Sequence, residues 1–192
     1  TPSEGFAIID ISPEQDITTV GLGFSNIVNM IESSGRIFLT TQKYLDSTNP
    51  PLTSYYLSEI SLNPPKVTDP INVPGIITSI NQSKGIYFLK DWQYINYENP
   101  SPEYYYPQYE TWFRSIEIIN GKVNILDSVN TKSAWAQFYH EISDYLLYLT
   151  TQDNLLTIRK YDISDEGKFK NYAEKILGSS IWGDIVHTEK PY

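Results

Sequence analysis

The chain has 192 residues, enough for one domain with a sizeable core or for part of a larger ring. Hydrophobic residues make up 40% and charged residues 19%, with 16 tyrosines, which excludes a disordered chain and favours pleated, half-buried β surfaces. A net charge of −9 sets nucleic acid and anionic membrane surfaces aside as partners, and the absence of cysteine excludes disulfides, thiolate metal sites and cysteine nucleophiles. In chain order, residues 7–11 read as a strand, followed by a turn at Ser12-Pro13-Glu14-Gln15-Asp16 and a second strand ending near Phe24. Next come apolar strands at 38–42 and 56–60, closed by the turn Asn63-Pro64-Pro65-Lys66. A third set has strands at 86–90 and 114–118 and the turn Asn120-Gly121-Lys122. A fourth has strands at 145–152 and 159–163, joined by the two-residue turn Asp153-Asn154 and followed by the turn Asp165-Glu166-Gly167-Lys168. Residues 171–177 and 133–140 also suit a helix by local propensity, and the repeat register makes both of them strands. No apolar run approaches the ~18 residues needed to cross a bilayer.

Internal repetition organises these strands. Phe38-Leu39-Thr40-Thr41-Gln42 recurs as Tyr148-Leu149-Thr150-Thr151-Gln152, with Ile86-Tyr87-Phe88-Leu89-Lys90 between them. A second series ends at Ile11, Ile60, Ile118 and Ile163, each preceded by an acid: Asp10, Glu59, Glu117 and Asp162. Successive members stand roughly 45–60 residues apart, close to the spacing of propeller blades. Naming strands A to D outward from the axis, the first series is strand B and the second strand C. Strand B lacks alternation, as in Tyr145-Leu146-Leu147-Tyr148-Leu149, which suits a strand covered on both faces. The expected fold is therefore all-β: a β-propeller segment of four-stranded antiparallel blades. Complete blades are expected at 25–74, 75–131 and 132–180, with partial blades at 1–24 and 181–192.

Phe6-Ala7-Ile8-Ile9-Asp10-Ile11-Ser12-Pro13 resembles the LVIVD repeat, in which an apolar strand runs into Asp-Ile-Ser and a proline. Tyr161-Asp162-Ile163-Ser164-Asp165 is similar to a second copy, while residues 56–60 and 114–118 depart from it with Glu for Asp. The resemblance covers only the C strands and C–D turns. It implies a propeller from secreted or cell-surface proteins and carries no catalytic residues. The chain opens on Thr1, which fits a processed piece with any signal sequence upstream.

The largest irregularity is an insertion at 91–110, between strands B and C of the middle blade. It carries Trp92, Tyr94, Tyr97, Tyr104, Tyr105, Tyr106 and Tyr109, with Trp112 just beyond, and prolines that stiffen it. Tyr and Trp combine a flat apolar face with a polar tip, which suits protein and glycan surfaces; the plainer role is packing over their own blade. Trp135 to His140 matches Trp182 to His187, a repeated position at the end of strand A that would hold a metal only if further ligands converged there. Asn81-Gln82-Ser83 is an N-glycosylation sequon. There is no phosphate-binding glycine loop, no calcium loop and no nucleophile elbow, so no cofactor and no catalytic residue is assigned. The leading expectation is a non-enzymatic extracellular or cell-surface module that binds or scaffolds protein or glycan. Its other contacts would be the remaining blades of a parent chain or copies of itself. One alternative is a glycan lyase or hydrolase using carboxylates such as Asp91 or Asp184 at the channel mouth. Another is a structural subunit of a surface lattice or filament.

Overall fold

A computed structural model describes residues 5–9, 17–21, 26–47, 52–62, 65–95, 108–132, 137–138, 145–152 and 155–179. These residues form strands and connecting turns, and no helix occurs among them. β1 (Gly5–Ile9) pairs antiparallel with β2 (Ile17–Gly21). The first larger sheet holds β3 (Ile27–Ser33), β4 (Arg36–Tyr44) and β5 (Thr53–Leu62), with β6 (Pro65–Val67) and β7 (Ile71–Val73) both paired to β5. The second holds β8 (Ile76–Asn81), β9 (Ile86–Ile95), β10 (Gln108–Ile119) and β11 (Lys122–Asn130). The third holds β12 (Gln137–Phe138), β13 (Tyr145–Gln152), β14 (Leu155–Ile163) and β15 (Phe169–Ser179). Each is an antiparallel meander in which consecutive strands are neighbours, except that β6 and β7 lie one after the other along the same edge of β5.

Local chemistry explains the breaks. The outer strand of the first sheet splits at 68–70, where Pro70 removes a ladder donor. Thr68 bridges the gap: its Oγ1 accepts from the Glu59 amide (2.8 Å), and its own amide donates to the Glu59 carbonyl (2.9 Å). Residues 171–177 lie within β15, where pairing to β14 overrides their helical propensity. Of residues 133–140, Gln137 and Phe138 form β12, and the rest lie outside the described residues, as do residues 181–192.

The sheets pack face to face. Phe38, Leu57 and Val73 of the first sheet meet Ile77, Leu89 and Ile116 of the second. Phe113 of the second meets Leu146 and Tyr148 of the third, with Tyr161, Ile163 and Phe169 around them. Leu39 and Ile60, with Ile37 and Val67, form a third cluster on the other side of the first sheet. Phe38, Leu39, Thr40 and Thr41 are all buried although their side chains alternate between faces, so β4 is covered on both sides. Each fully buried Leu, Ile or Phe stabilises the fold by about 1.5–3 kcal/mol. Polar ties join the first and second sheets. Asn29 Nδ2 donates to the Ile77 carbonyl (2.7 Å), Gln82 Nε2 donates to the Ser33 carbonyl, and the Ile77 amide donates to Thr40 Oγ1 (3.2 Å).

Register separates the two repeat series. Ile118 packs towards the first sheet and Ile163 towards the second, while Ile60 lies on the first sheet's face away from the second. All three thus point to the preceding side of their own sheet. Strand B does not keep this parity. Leu39 stands opposite Ser58, two residues before Ile60, whereas Leu149 stands opposite Ile158, five residues before Ile163. An odd step reverses the face, so Leu39 and Leu149, equivalent by sequence identity, project to opposite sides of their sheets.

Candidate functional site

The insertion does not begin as a loop. β9 continues to Ile95 and β10 starts at Gln108, paired from Gln108↔Ile95 inward. Trp92, Tyr94, Tyr109 and Thr111 are good strand formers, so the ladder extends well into the segment expected to be irregular. β8 reaches only to the level of Lys90, and β11 stops opposite Trp112. Beyond those points the ladder is continued among the described residues only by Thr131, whose amide and hydroxyl both donate to the Thr111 carbonyl (3.0 and 2.9 Å), and β9 and β10 then flank each other. The result is a two-stranded arm formed by residues 91–95 and 108–111.

The pleat divides the arm's side chains between two faces, because directly opposed residues share a face. Lys90, Trp92, Tyr94, Tyr109, Thr111 and Phe113 lie on the face towards the third sheet. Trp92 is 39% exposed, with Lys90 Nζ 4.7 Å from its ring centroid. Tyr94 and Tyr109 meet edge to face, with centroids 6.0 Å apart. Burial pulls the Lys90 ammonium below its ordinary pKa.

Asp91, Gln93, Glu110, Trp112 and Arg114 lie on the other face, with Leu89 and Tyr87. The Arg114 guanidinium carbon sits 5.1 Å from the Trp112 ring centroid, and Nη2 reaches Asp91 Oδ2 at 3.4 Å. The side chains of this ion pair are only 8% and 13% exposed. Arg114 Nε has no acceptor among the described residues. Burial raises the Asp91 pKa, and the pull of Arg114 and the Gln93 hydrogen bond only partly offset it. Burial also lowers the Arg114 pKa. Across the sheet interface, Tyr55 is pushed up to about 12, first by burial and then by the Asp91 charge. Farther out, Asn130 Nδ2 donates to Glu110 Oε2 at 2.5 Å. Gly75 closes the base of the arm: a Cβ there would stand 2.7 Å from the Lys90 carbonyl oxygen.

The arm therefore brings Trp92, Tyr94 and Tyr109 together and sets Trp112 on the opposite face. Tyr97, Tyr104, Tyr105 and Tyr106 lie outside the described residues. Sequence reasoning about aromatics missed Arg114, Lys90, Gln93 and Glu110. The signal was the period-two spacing of Asp91 with Gln93, and of Glu110, Trp112 and Arg114, once β9 and β10 are read as continuous strands.

Three acids of the strand C series, Glu59, Glu117 and Asp162, serve the scaffold, and Asp10 lies outside the described residues. Arg36 grips Glu59, with Nε to Oε1 at 2.7 Å. Glu117 accepts from Asn124 (3.3 Å), and Asp162 accepts from Asn171 (3.1 Å), both across to the outer strand of their sheet. No group of three or more His, Cys, Asp or Glu suited to a metal occurs among the described residues; His140, His187 and Asp184 lie outside them. Asn81 ends β8, at an exposed turn. Compared with known proteins, the chain matches no family model, no curated protein and no solved structure.

Proposed function

We propose that the chain is a segment of a β-propeller, related to LVIVD-type repeats, that works outside the cell or on its surface as a binding and scaffolding module. The blades would be the three meanders, and the arm formed by β9 and β10 would dock a protein or glycan surface. Three features support the propeller reading: successive antiparallel meanders, two of four strands and one whose outer strand is split into β6 and β7, face-to-face packing of each on the next, and polar ties between the first strands β3 and β8. The observation that carries the binding reading is the arm itself. It outruns both neighbours in its sheet, and it presents Trp92 with the Tyr94–Tyr109 pair on the face towards the third sheet. Rigid aromatic side chains on a projecting hairpin offer contact area at low entropy cost.

The test removes the arm from the full chain. Residues 92–111 are replaced by Asn-Gly, which closes a two-residue hairpin beyond Asp91 and Trp112. Both proteins are probed on arrays of printed oligosaccharides and of extracellular-matrix proteins. The shortened chain is expected to keep its β circular dichroism and to lose binding at least tenfold. Equal binding by the two proteins, or no binding by the intact chain on either array, overturns the proposal.

A further inference from the structure

We infer that Asn81 is an acceptor for an N-linked glycan, carried at the end of the second sheet opposite the arm. The sequon Asn81-Gln82-Ser83 alone is weak evidence; the use of the asparagine side chains is stronger. Asn29, Asn72, Asn124, Asn130 and Asn171 each donate their amide nitrogen to a carbonyl or carboxylate of the fold. Asn81 does the reverse. Its Oδ1 accepts from the Ser83 hydroxyl (2.8 Å) and from the Lys84 amide (3.2 Å), while Nδ2 has no acceptor among the described residues. The carboxamide is thus oriented by its oxygen, with the nucleophilic nitrogen left available. Ser83, Lys84 and Gly85 are exposed, and Gln82 is turned towards the Ser33 carbonyl. Asn99-Pro100-Ser101 has proline at the middle position, which excludes it as a second acceptor.

In the transfer, Asn81 Nδ2 attacks the anomeric carbon of an oligosaccharide carried on a polyprenyl diphosphate. The N–C1 bond forms, the C1–O bond breaks, the diphosphate leaves with the electron pair, and the nitrogen loses a proton to a base of the transferase. Placement matters for the proposed function. β9 runs from Ile86, next to this turn, to Ile95 in the arm, a span of about 30 Å. A glycan on Asn81 covers the turn end of the sheet, near the Lys84–Asp165 ion pair, and leaves the arm open. The inference rests on the extracellular location proposed above and not on what the arm binds.

The experiment uses the full chain behind a secretory signal, translated in the presence of endoplasmic-reticulum microsomes. One endoglycosidase-sensitive mobility shift is expected. It should be lost in Asn81→Gln and in Ser83→Ala, and kept or increased in Ser83→Thr. No shift in the wild-type chain, or a shift that survives Asn81→Gln, overturns the inference. The same chain is then secreted from mammalian cells. Peptide mapping after enzymatic deglycosylation should find aspartate at position 81, with β circular dichroism equal to that of Asn81→Gln. A glycosylated chain that has lost its β signal, while Asn81→Gln keeps it, contradicts placement on an exposed turn.

Discussion

Asp91 and Arg114 form an ion pair that its surroundings only partly support. The contact is long, at 3.4 Å, Arg114 Nε lacks an acceptor among the described residues, and both side chains are largely out of water. In such a pair desolvation rivals or exceeds the Coulombic gain, while loss of one partner leaves a bare buried charge. Asp91→Ala is therefore expected to cost about 3 kcal/mol in urea unfolding, and Asp91→Leu with Arg114→Met to lie within about 1 kcal/mol of the parent. Costs that simply add would show that the two side chains do not act as a pair. The pH dependence has a definite sign. The folded Asp91 pKa is raised above its ordinary 3.8, so between those two values the folded chain holds more protons than the unfolded one. This group's contribution to stability is greatest below pH 3.8 and declines as pH rises through the folded pKa. The slope is opposite to that of a salt-bridged carboxylate with a depressed pKa, and Asp91→Asn should remove it.

The arm depends on a close approach between elements. β8 begins just after Gly75, where any Cβ would meet the Lys90 carbonyl oxygen, a backbone atom that cannot move without shifting β9. Gly121 makes a useful comparison: its φ is 74°, yet a Cβ there meets nothing within 4 Å. Gly121→Ala should cost about 1 kcal/mol, from left-handed backbone strain alone. Gly75→Ala should cost about 2–3 kcal/mol, from overpacking against a strand on top of the strain of its own positive φ of 158°. Urea midpoints of the two variants decide it, and equal costs would mean that β8 and β9 are free to part at the base of the arm. The same junction shows where the sequence was legible. The C strands were readable because Ile60, Ile118 and Ile163 each bury on the same side of their sheets, so one local signal served one physical need. The B strands misled because Leu39 and Leu149 match as letters, while their faces are set by cross-strand register, which depends on a partner strand. The arm was hidden for a related reason. The prolines and the tyrosine run of the insertion drew the loop boundary at Asp91, whereas pairing of Tyr94 with Tyr109 across the hairpin carries the ladder on to Ile95. Local composition cannot report a contact between distant residues. The carboxamide geometry of Asn81 was equally out of reach, since only the folded turn shows which end of the side chain is engaged.

Over the whole molecule, the described sheets form a stack in which the large contacts run between successive members. One cluster joins the first and second sheets through Phe38, Leu57, Val73, Ile77, Leu89 and Ile116. A separate one joins the second and third through Phe113, Leu146 and Tyr148. The second interface also has its own polar clamp. Ser115 Oγ donates to the Gly167 carbonyl (2.6 Å), the Phe169 amide donates to Asp127 Oδ2 (2.8 Å), and Lys168 Nζ donates to the Leu126 carbonyl. Leu126 is the extra residue of a bulge in β11, so the irregular strand of one sheet receives the turn of the next. Stability in such an array approximates a sum of sheet and nearest-neighbour terms, and damage at one interface should stay local. Tyr148 tests this, because its ring is 1% exposed and packs 5.1 Å from Phe113. Truncating a fully buried aromatic to alanine costs about 3–5 kcal/mol, which corresponds to at least a hundredfold rise in exchange for amides that open with that interface. In Tyr148→Ala, native-state hydrogen exchange should therefore accelerate about a hundredfold or more in β13 and β14, while β4 and β5 change by less than about threefold. Phe38→Ala should do the reverse, loosening β4 and β5 and sparing β13 and β14. If either substitution raised exchange equally in all four strands, the sheets would be opening as one cooperative body, and the nearest-neighbour account of this fold would fail.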